Sequence, residues 1–209
     1  LQPKHVLALT ATATPEVRDD ITKQLGMVDA RVFVRGFDRP NLFFSVESTA
    51  LKEKAARTAA LVSALDTPGG CIAYAGTRKN AETLARELTG KGVRAGVYHA
   101  GLDDEARKQV QEDFMANAYD VLVATNAFGM GVDKADVRTV CHDAVPGSVE
   151  AWYQEAGRAG RDGQPARALL FSQPKDKGLH VFFIERAAVD DAAFAQVARA
   201  LERHADAGG

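Results

Sequence analysis

The sequence predicts an α/β fold of three layers, a mostly parallel sheet covered by helices on both faces. Two features point that way. Short apolar runs rich in β-branched residues alternate along the chain with longer stretches of helical period, the signature of a parallel sheet wrapped by crossover helices. The joints between them carry helix-capping residues, so the alternation has physical stops as well as a rhythm.

Taken in order, strands are expected at Val6 to Leu9, Arg31 to Arg35, Leu42 to Val46, Cys71 to Ala75, Ala95 to His99, Val121 to Thr125, Thr139 to His142 and Leu169 to Ser172. Helices are expected at Pro15 to Leu25, Leu51 to Leu65, Arg78 to Leu88, Asp104 to Asn117 and Val149 to Ala159, with a further helical stretch in two pieces from Lys175 to His204. Thr14, Thr77 and Asp103 each stand just before a helix, with an oxygen able to accept from a free first-turn amide, and Gly26 follows Leu25 as a stop. Residues 69–172 hold four or five strands joined by helices, a complete doubly wound unit whose ligands belong beyond the C-terminal ends of its strands. Thr77 and Arg78, His99 to Gly101 and Thr125 to Asp133 all follow such strand ends. Gly36-Phe37-Asp38-Arg39-Pro40-Asn41 has the composition of a linker. The expected division is therefore a preceding domain's tail and linker over 1–45, the main lobe over 46–174 and a helical extension over 175–209.

With 209 residues, 46% hydrophobic and 26% charged, the chain can bury a full core. A net charge of −2 excludes a uniformly basic coat, so any nucleic-acid contact must come from a local patch. Cys71 and Cys141 each lie inside an apolar strand, which favours reduced core thiols over a disulfide or a metal site and fits a cytoplasmic setting. No secretory leader and no membrane-spanning apolar run is legible, so no membrane partner is expected.

The most informative segment is Gln154-Glu155-Ala156-Gly157-Arg158-Ala159-Gly160-Arg161-Asp162-Gly163. On a helix, Gln154, Arg158 and Arg161 project from one stripe, while Trp152, Ala156 and Ala159 fall on another side and can pack. Gly157 and Gly160 each cost about 1 kcal/mol against alanine in a helix, a cost tolerated where a ligand or another backbone comes close. Two arginines on such an element suit a phosphate. The plainer reading is a solvated amphipathic helix whose arginines make surface ion pairs worth under about 1 kcal/mol. Gly129 and Gly131, in the stretch from Thr125 to Asp133, similarly free a backbone to approach a ligand, or serve a purely structural loop. Thr77 and Arg78 pair a helix N-terminus with a full positive charge, a cradle for a backbone phosphate or simply a capped helix with an exposed arginine.

The ordered series Ala8-Leu9-Thr10-Ala11-Thr12-Ala13-Thr14, Phe37-Asp38-Arg39-Pro40-Asn41, Tyr98-His99-Ala100-Gly101-Leu102, Ala124-Thr125-Asn126-Ala127-Phe128-Gly129-Met130-Gly131-Val132-Asp133 and the Gln154 decapeptide resembles the second half of a RecQ-family DNA helicase. The match covers most of the chain. It is nearer than that to DEAD-box RNA helicases, which typically carry a Ser-Ala-Thr element where Leu9-Thr10-Ala11-Thr12 stands and a His-Arg-x-Gly-Arg segment where Gln154-Glu155 stands.

The resemblance implies a RecA-like, P-loop NTPase-type lobe that works with a first lobe of the same protein, ATP lying between them. Arg161 matches the arginine finger, whose planar fork offsets charge developing in phosphoryl transfer, and Arg158 would hold the phosphate or the lobe interface. Gln154 would couple the DNA and nucleotide sites, with Gly131 and Asp133 at the nucleotide and Asp133 on its ribose. Thr77, Arg78, His99 and Thr125 would touch DNA, and Thr10 and Thr12 would link hydrolysis to lobe movement. Tyr74-Ala75-Gly76-Thr77-Arg78 departs from the family's usual Tyr-Cys-x-Ser-Arg, keeping a hydroxyl and the arginine.

No Gly-x-x-x-x-Gly-Lys-Ser/Thr occurs, and Gly90-Lys91-Gly92 reads as a helix exit. Asp103-Asp104-Glu105-Ala106 reads as capping plus dipole charge rather than a metal box. ATP and Mg2+ would thus be held mainly by the first lobe, and this lobe alone should not hydrolyse ATP. The cysteine cluster that many RecQ proteins carry is absent from the sequence, so no zinc is expected. The function implied is the second motor lobe of an ATP-dependent 3′ to 5′ DNA helicase acting on single-stranded and duplex DNA in repair and recombination. An RNA helicase lobe and a non-enzymatic nucleic-acid-binding module are the alternatives; the latter would leave Arg158 and Arg161 without a task.

Overall fold

The computed structural model describes residues 5–10, 13–34, 38–65, 70–129, 133–173, 176 and 178. Thr12, Gly131 and nearly all of the expected extension over 175–209 lie outside these residues.

Six strands form one sheet: β1 (Leu42–Ser48), β2 (Cys71–Tyr74), β3 (Ala95–Tyr98), β4 (Val121–Ala124), β5 (Thr139–His142) and β6 (Ala166–Ser172). Their order is β1-β6-β5-β2-β4-β3, and each neighbouring pair is parallel. The crossovers carry α2 (Leu51–Ser63), α3 (Arg78–Thr89), α4 (Asp104–Met115) and α5 (Val149–Ala156), while α1 (Pro15–Gln24) precedes the sheet. Every residue of β2, β4 and β5 is buried, as continuous apolar runs in a parallel sheet covered on both faces require.

Alternation along the strands divides the core into two layers. Cys71, Ala73, Val121, Val123, Cys141, Leu169 and Phe171 face α2 and α3, whose Ala55, Leu61, Leu84 and Leu88 close that side. Ile72, Tyr74, Leu122, Ala124 and Val140 turn the other way, onto Phe114 of α4, Ala156 of α5 and Phe128 in the loop after β4. Cys71 and Cys141 are buried free thiols in the first layer, where the thiol of Cys141 and burial push that of Cys71 upward.

The caps form as expected. Thr14 accepts from the Val17 amide, Thr77 from Asn80 and Asp103 from Ala106, and Ser148 does the same for Ala151 at the start of α5. Gly26 leaves α1 with φ +59°.

Two expected strands are not strands. Residues 5–10 and 31–34 have no sheet partner, and Leu7, Leu9, Phe33 and Val34 are exposed. Their apolar character is real, but a strand needs a neighbour to bond, and β1 is the edge of this sheet. The expected boundary at 45 falls inside β1, which runs Leu42–Ser48 and is bonded along its length to β6. Among the described residues, no helix is long and apolar enough to cross a membrane.

Candidate functional site

The decapeptide is not one helix. α5 stops at Ala156, Gly157 caps it, and residues 157–162 form turns. Gln154 is therefore helical and exposed, whereas Arg158 and Arg161 stand on the turn that follows; the three do not share one ridge. The reason lies in Gly160, at φ +60°, where a Cβ would come within 2.6 Å of Asn41 Nδ2, 2.8 Å of the Gln164 carbonyl and 2.9 Å of Ala166 Cβ. Only glycine fits that backbone and that crowding. As expected from their side of the segment, Ala156 and Ala159 are fully buried.

Residues read as linker hold this turn. Arg39 donates through Nη1 to the Gly157 carbonyl (3.2 Å) and through Nη2 to those of Ala159 (2.8 Å) and Gly160 (2.9 Å). Asn41 Nδ2 donates to Gly160 and Gln164 carbonyls at 2.8 Å each. Helix ends leave carbonyls without intrahelical partners, and here one guanidinium satisfies three carbonyls at and beyond such an end. The Gly160 amide donates to the Val137 carbonyl at 2.8 Å, tying the turn to the approach to β5. Arg138 adds a 2.6 Å ion pair to Asp162, which holds that carboxyl below its ordinary range.

So fixed, the turn aims its two arginines at the segment between β4 and β5. Arg158 Nη2 donates to the Gly129 carbonyl at 2.5 Å, and a Cβ on Gly129 would lie 3.3 Å from the same nitrogen. The close approach that this glycine permits is thus made by Arg158 itself. Arg161 Nη1 meets Asp133 Oδ1 at 2.7 Å, with the two side chains 35% and 83% exposed. Sequence reasoning named both members of this pair without linking them.

The other expected residues gather at the C-terminal ends of β2, β4 and β3, which are adjacent in the sheet. Thr77 caps α3, and Arg78 lies against Gly101, its Nη1 3.1 Å from where a Cβ on that glycine would be. His99 is 4% exposed; its Nδ1 accepts from the Gly101 amide at 3.2 Å and its Nε2 lies 3.3 Å from Glu82 Oε1. With both nitrogens engaged, His99 shapes the loop that Arg78 rests on. Thr125, buried, donates its amide to the Tyr98 carbonyl at 3.2 Å. Thr10 is exposed and stands apart from the sheet strands in the segment before α1. Among the described residues, no group of three or more His, Cys, Asp or Glu side chains is placed to hold a metal ion.

Several participants escaped sequence reasoning: Arg39, Asn41, Tyr74, His142 and Glu155. Arg39, Asn41, Tyr74 and Glu155 each stand inside a quoted motif, but no role was drawn for them from it. His142 is a core position on an apolar strand, with nothing in the local pattern to set it apart.

Residues 53–163 match the family model of the helicase conserved C-terminal domain, and the chain belongs to that family. Solved structures give the same fold: it resembles S. cerevisiae Dbp5 bound to RNA and ADP BeF3 (TM-score 0.68, 21% identity, 87% of this chain and 49% of that one). It also resembles the Mycobacterium smegmatis helicase Lhr bound to ssDNA and AMP-PNP (TM-score 0.57, 24% identity, 70% and 21% covered). In sequence it is 44% identical to the Bacillus subtilis ATP-dependent DNA helicase RecQ over 87% of this chain and 30% of that protein. It is 45% identical to the Caenorhabditis elegans RecQ-like DNA helicase blm-1 over 80% and 17%. The lobe is of the RecQ type, with a RecA-like fold, and the chain spans about a third of the length of the B. subtilis relative.

Proposed function

We propose that this lobe is the second motor lobe of an ATP-dependent 3′ to 5′ DNA helicase. It would supply the arginine finger to a nucleotide held chiefly, with Mg2+, by a first lobe. The observation that carries the reading is the turn bearing Arg158 and Arg161, locked by Arg39 and Asn41 and facing Gly129 and Asp133. An exposed pair such as Arg161–Asp133 is worth about 0–1 kcal/mol, so it is exchangeable. The carboxylate stands where a phosphate oxygen would suit the same guanidinium. On nucleotide binding Arg161 would trade Asp133 for phosphate, releasing Asp133 for ribose hydroxyls. Arg158, anchored on Gly129, would stay as a fixed cation. Gly131 would bring its backbone to the nucleotide, and Gln154 would face both ligands. ATP supplies the phosphoryl chemistry; the protein supplies position and charge.

The Thr77 cap, Arg78 and Thr125 would hold single-stranded DNA by its phosphates, with His99 supporting the loop beneath Arg78. Such contacts are tolerant of sequence. Thr10 and Thr12 would pass the nucleotide state to the lobe interface, and the setting is DNA repair and recombination in the cytoplasm. The test is DNA-stimulated ATP turnover by the complete two-lobed protein carrying Arg161→Ala. A fall of about 10³-fold is expected. Wild-type turnover in the variant removes the finger, and stimulation by RNA alone removes the DNA assignment.

A further inference from the structure

Beneath the arginine turn, two buried rings from neighbouring strands lie face to face. Tyr74 ends β2 and His142 ends β5; they are partners across the ladder, their centroids 5.2 Å apart and their planes 17° from parallel. Tyr74 is 4% exposed and His142 not at all. Both use polar atoms that packing alone does not need. The Tyr74 hydroxyl donates to the Phe128 carbonyl at 3.1 Å, next to the Gly129 carbonyl that accepts from Arg158. His142 Nε2 lies 2.9 Å from Glu155 Oε2 on α5, while Nδ1 is buried without a partner. That pattern places the ring hydrogen on Nε2, donating to the carboxylate. A fold rarely keeps an unsatisfied buried nitrogen, and leucine would fill the space without one.

We infer that Tyr74 and His142 are positioning residues that couple the nucleic-acid cap to the arginine turn. From Tyr74 the backbone runs directly through residues 75 and 76 to Thr77 and Arg78, the candidate phosphate cap. From its side chain the path runs to Phe128 and Arg158, and through the stacked His142 to Glu155, whose carbonyl accepts from the Arg158 amide at 3.2 Å. A small shift of the cap on a bound strand therefore reaches Arg158 through close-packed groups that have little room to absorb it. This rests on the proposed function and adds to it the route between the two sites.

The experiment uses the complete two-lobed protein, with DNA-stimulated kcat, KM for ATP, Kd for single-stranded DNA and Tm measured for Tyr74→Phe, Glu155→Ala and Glu155→Gln. Tyr74→Phe keeps the ring and its stack and removes only the hydroxyl. Because a misplacement of about 1 Å can cost about a hundredfold in rate, a loss of about tenfold in stimulated kcat is expected, with KM and Kd within about twofold of wild type. Glu155→Ala should lose kcat similarly, and Glu155→Gln, which keeps an oxygen for Nε2–H, should recover most of it. Tyr74→Phe turning over like wild type overturns the inference, and so does a kcat loss that follows Kd or the folded fraction. If wild type shows no DNA-stimulated turnover at all, the proposed function itself fails; normal stimulation with an unaffected Tyr74→Phe removes only the coupling.

Discussion

Replacing Arg39 by alanine should destabilise the lobe by an amount its hydrogen bonds let us estimate. Its guanidinium supplies three donors to the carbonyls of Gly157, Ala159 and Gly160, and the side chain is half-buried. A hydrogen bond to a charged group contributes about 1.5–3 kcal/mol when well buried; partial exposure brings each nearer 1, for about 3 kcal/mol in all. In a protein of this size 1 kcal/mol moves Tm by about 2–4 °C, so thermal unfolding followed by circular dichroism should fall by about 6–12 °C. Lysine, a single compact cation without the planar fork, should recover only a minor part. Arg57→Ala is the control, since its pair with Glu47 is exposed on both sides (47% and 34%) and should cost under about 1 kcal/mol. If Arg39→Ala melts within about 2 °C of wild type, or no lower than Arg57→Ala, the turn is held by something else.

Gly160→Ala should lower the denaturant midpoint by the equivalent of about 3 kcal/mol or more, from a left-handed residue plus displacement of Asn41. Gly163→Ala, at φ +82° with nothing within 4 Å of the added Cβ, should lose only about 1–2 kcal/mol. Burial raises the carboxyl of Asp143 in the folded state, Lys54 opposing it, so its favourable contribution is full below the unfolded value of about 3.9 and is lost as pH rises through the folded value. The stability of Asp143→Asn relative to wild type should therefore improve from about pH 3 to pH 7, and a difference flat with pH would contradict this. In the two-lobed protein, Arg78→Ala should lower the slope of log K for single-stranded DNA against log salt by about 0.7, the share of one phosphate contact, and an unchanged slope would take Arg78 out of the contact set.

β2, β4 and β5 were legible because parallel strands buried on both faces leave dense apolar runs, and the caps because Thr14, Thr77 and Asp103 act on amides three residues away. What escaped depends on distant partners. Leu7, Leu9 and Phe33 have strand-like composition but no strand to bond. β6 starts at Ala166 rather than Leu169 because the Ala166 amide donates to Asn41 across the sheet, and alanine has little strand preference to announce it. α5 ends early because Gly160 must pass Asn41, more than a hundred positions earlier in the sequence. The residue types of the site, Arg158, Arg161 and Asp133, could be read from the motifs; their pairing and their support from Arg39 could not.

The neighbour of β1 is β6, so the first strand of the sheet is completed by the last. On the ribosome, the backbone amides and carbonyls of β1 must wait without their ladder partners until Ser172 has emerged, with the rest of the sheet made in between. Closure of that seam also brings Arg39 and Asn41 onto the turn before β6, so a nascent chain acquires a shaped arginine loop only at the moment its sheet is finished. Half-made lobes would then lack the shaped arginine turn, and the unpaired backbone of β1 would be the natural target of a chaperone.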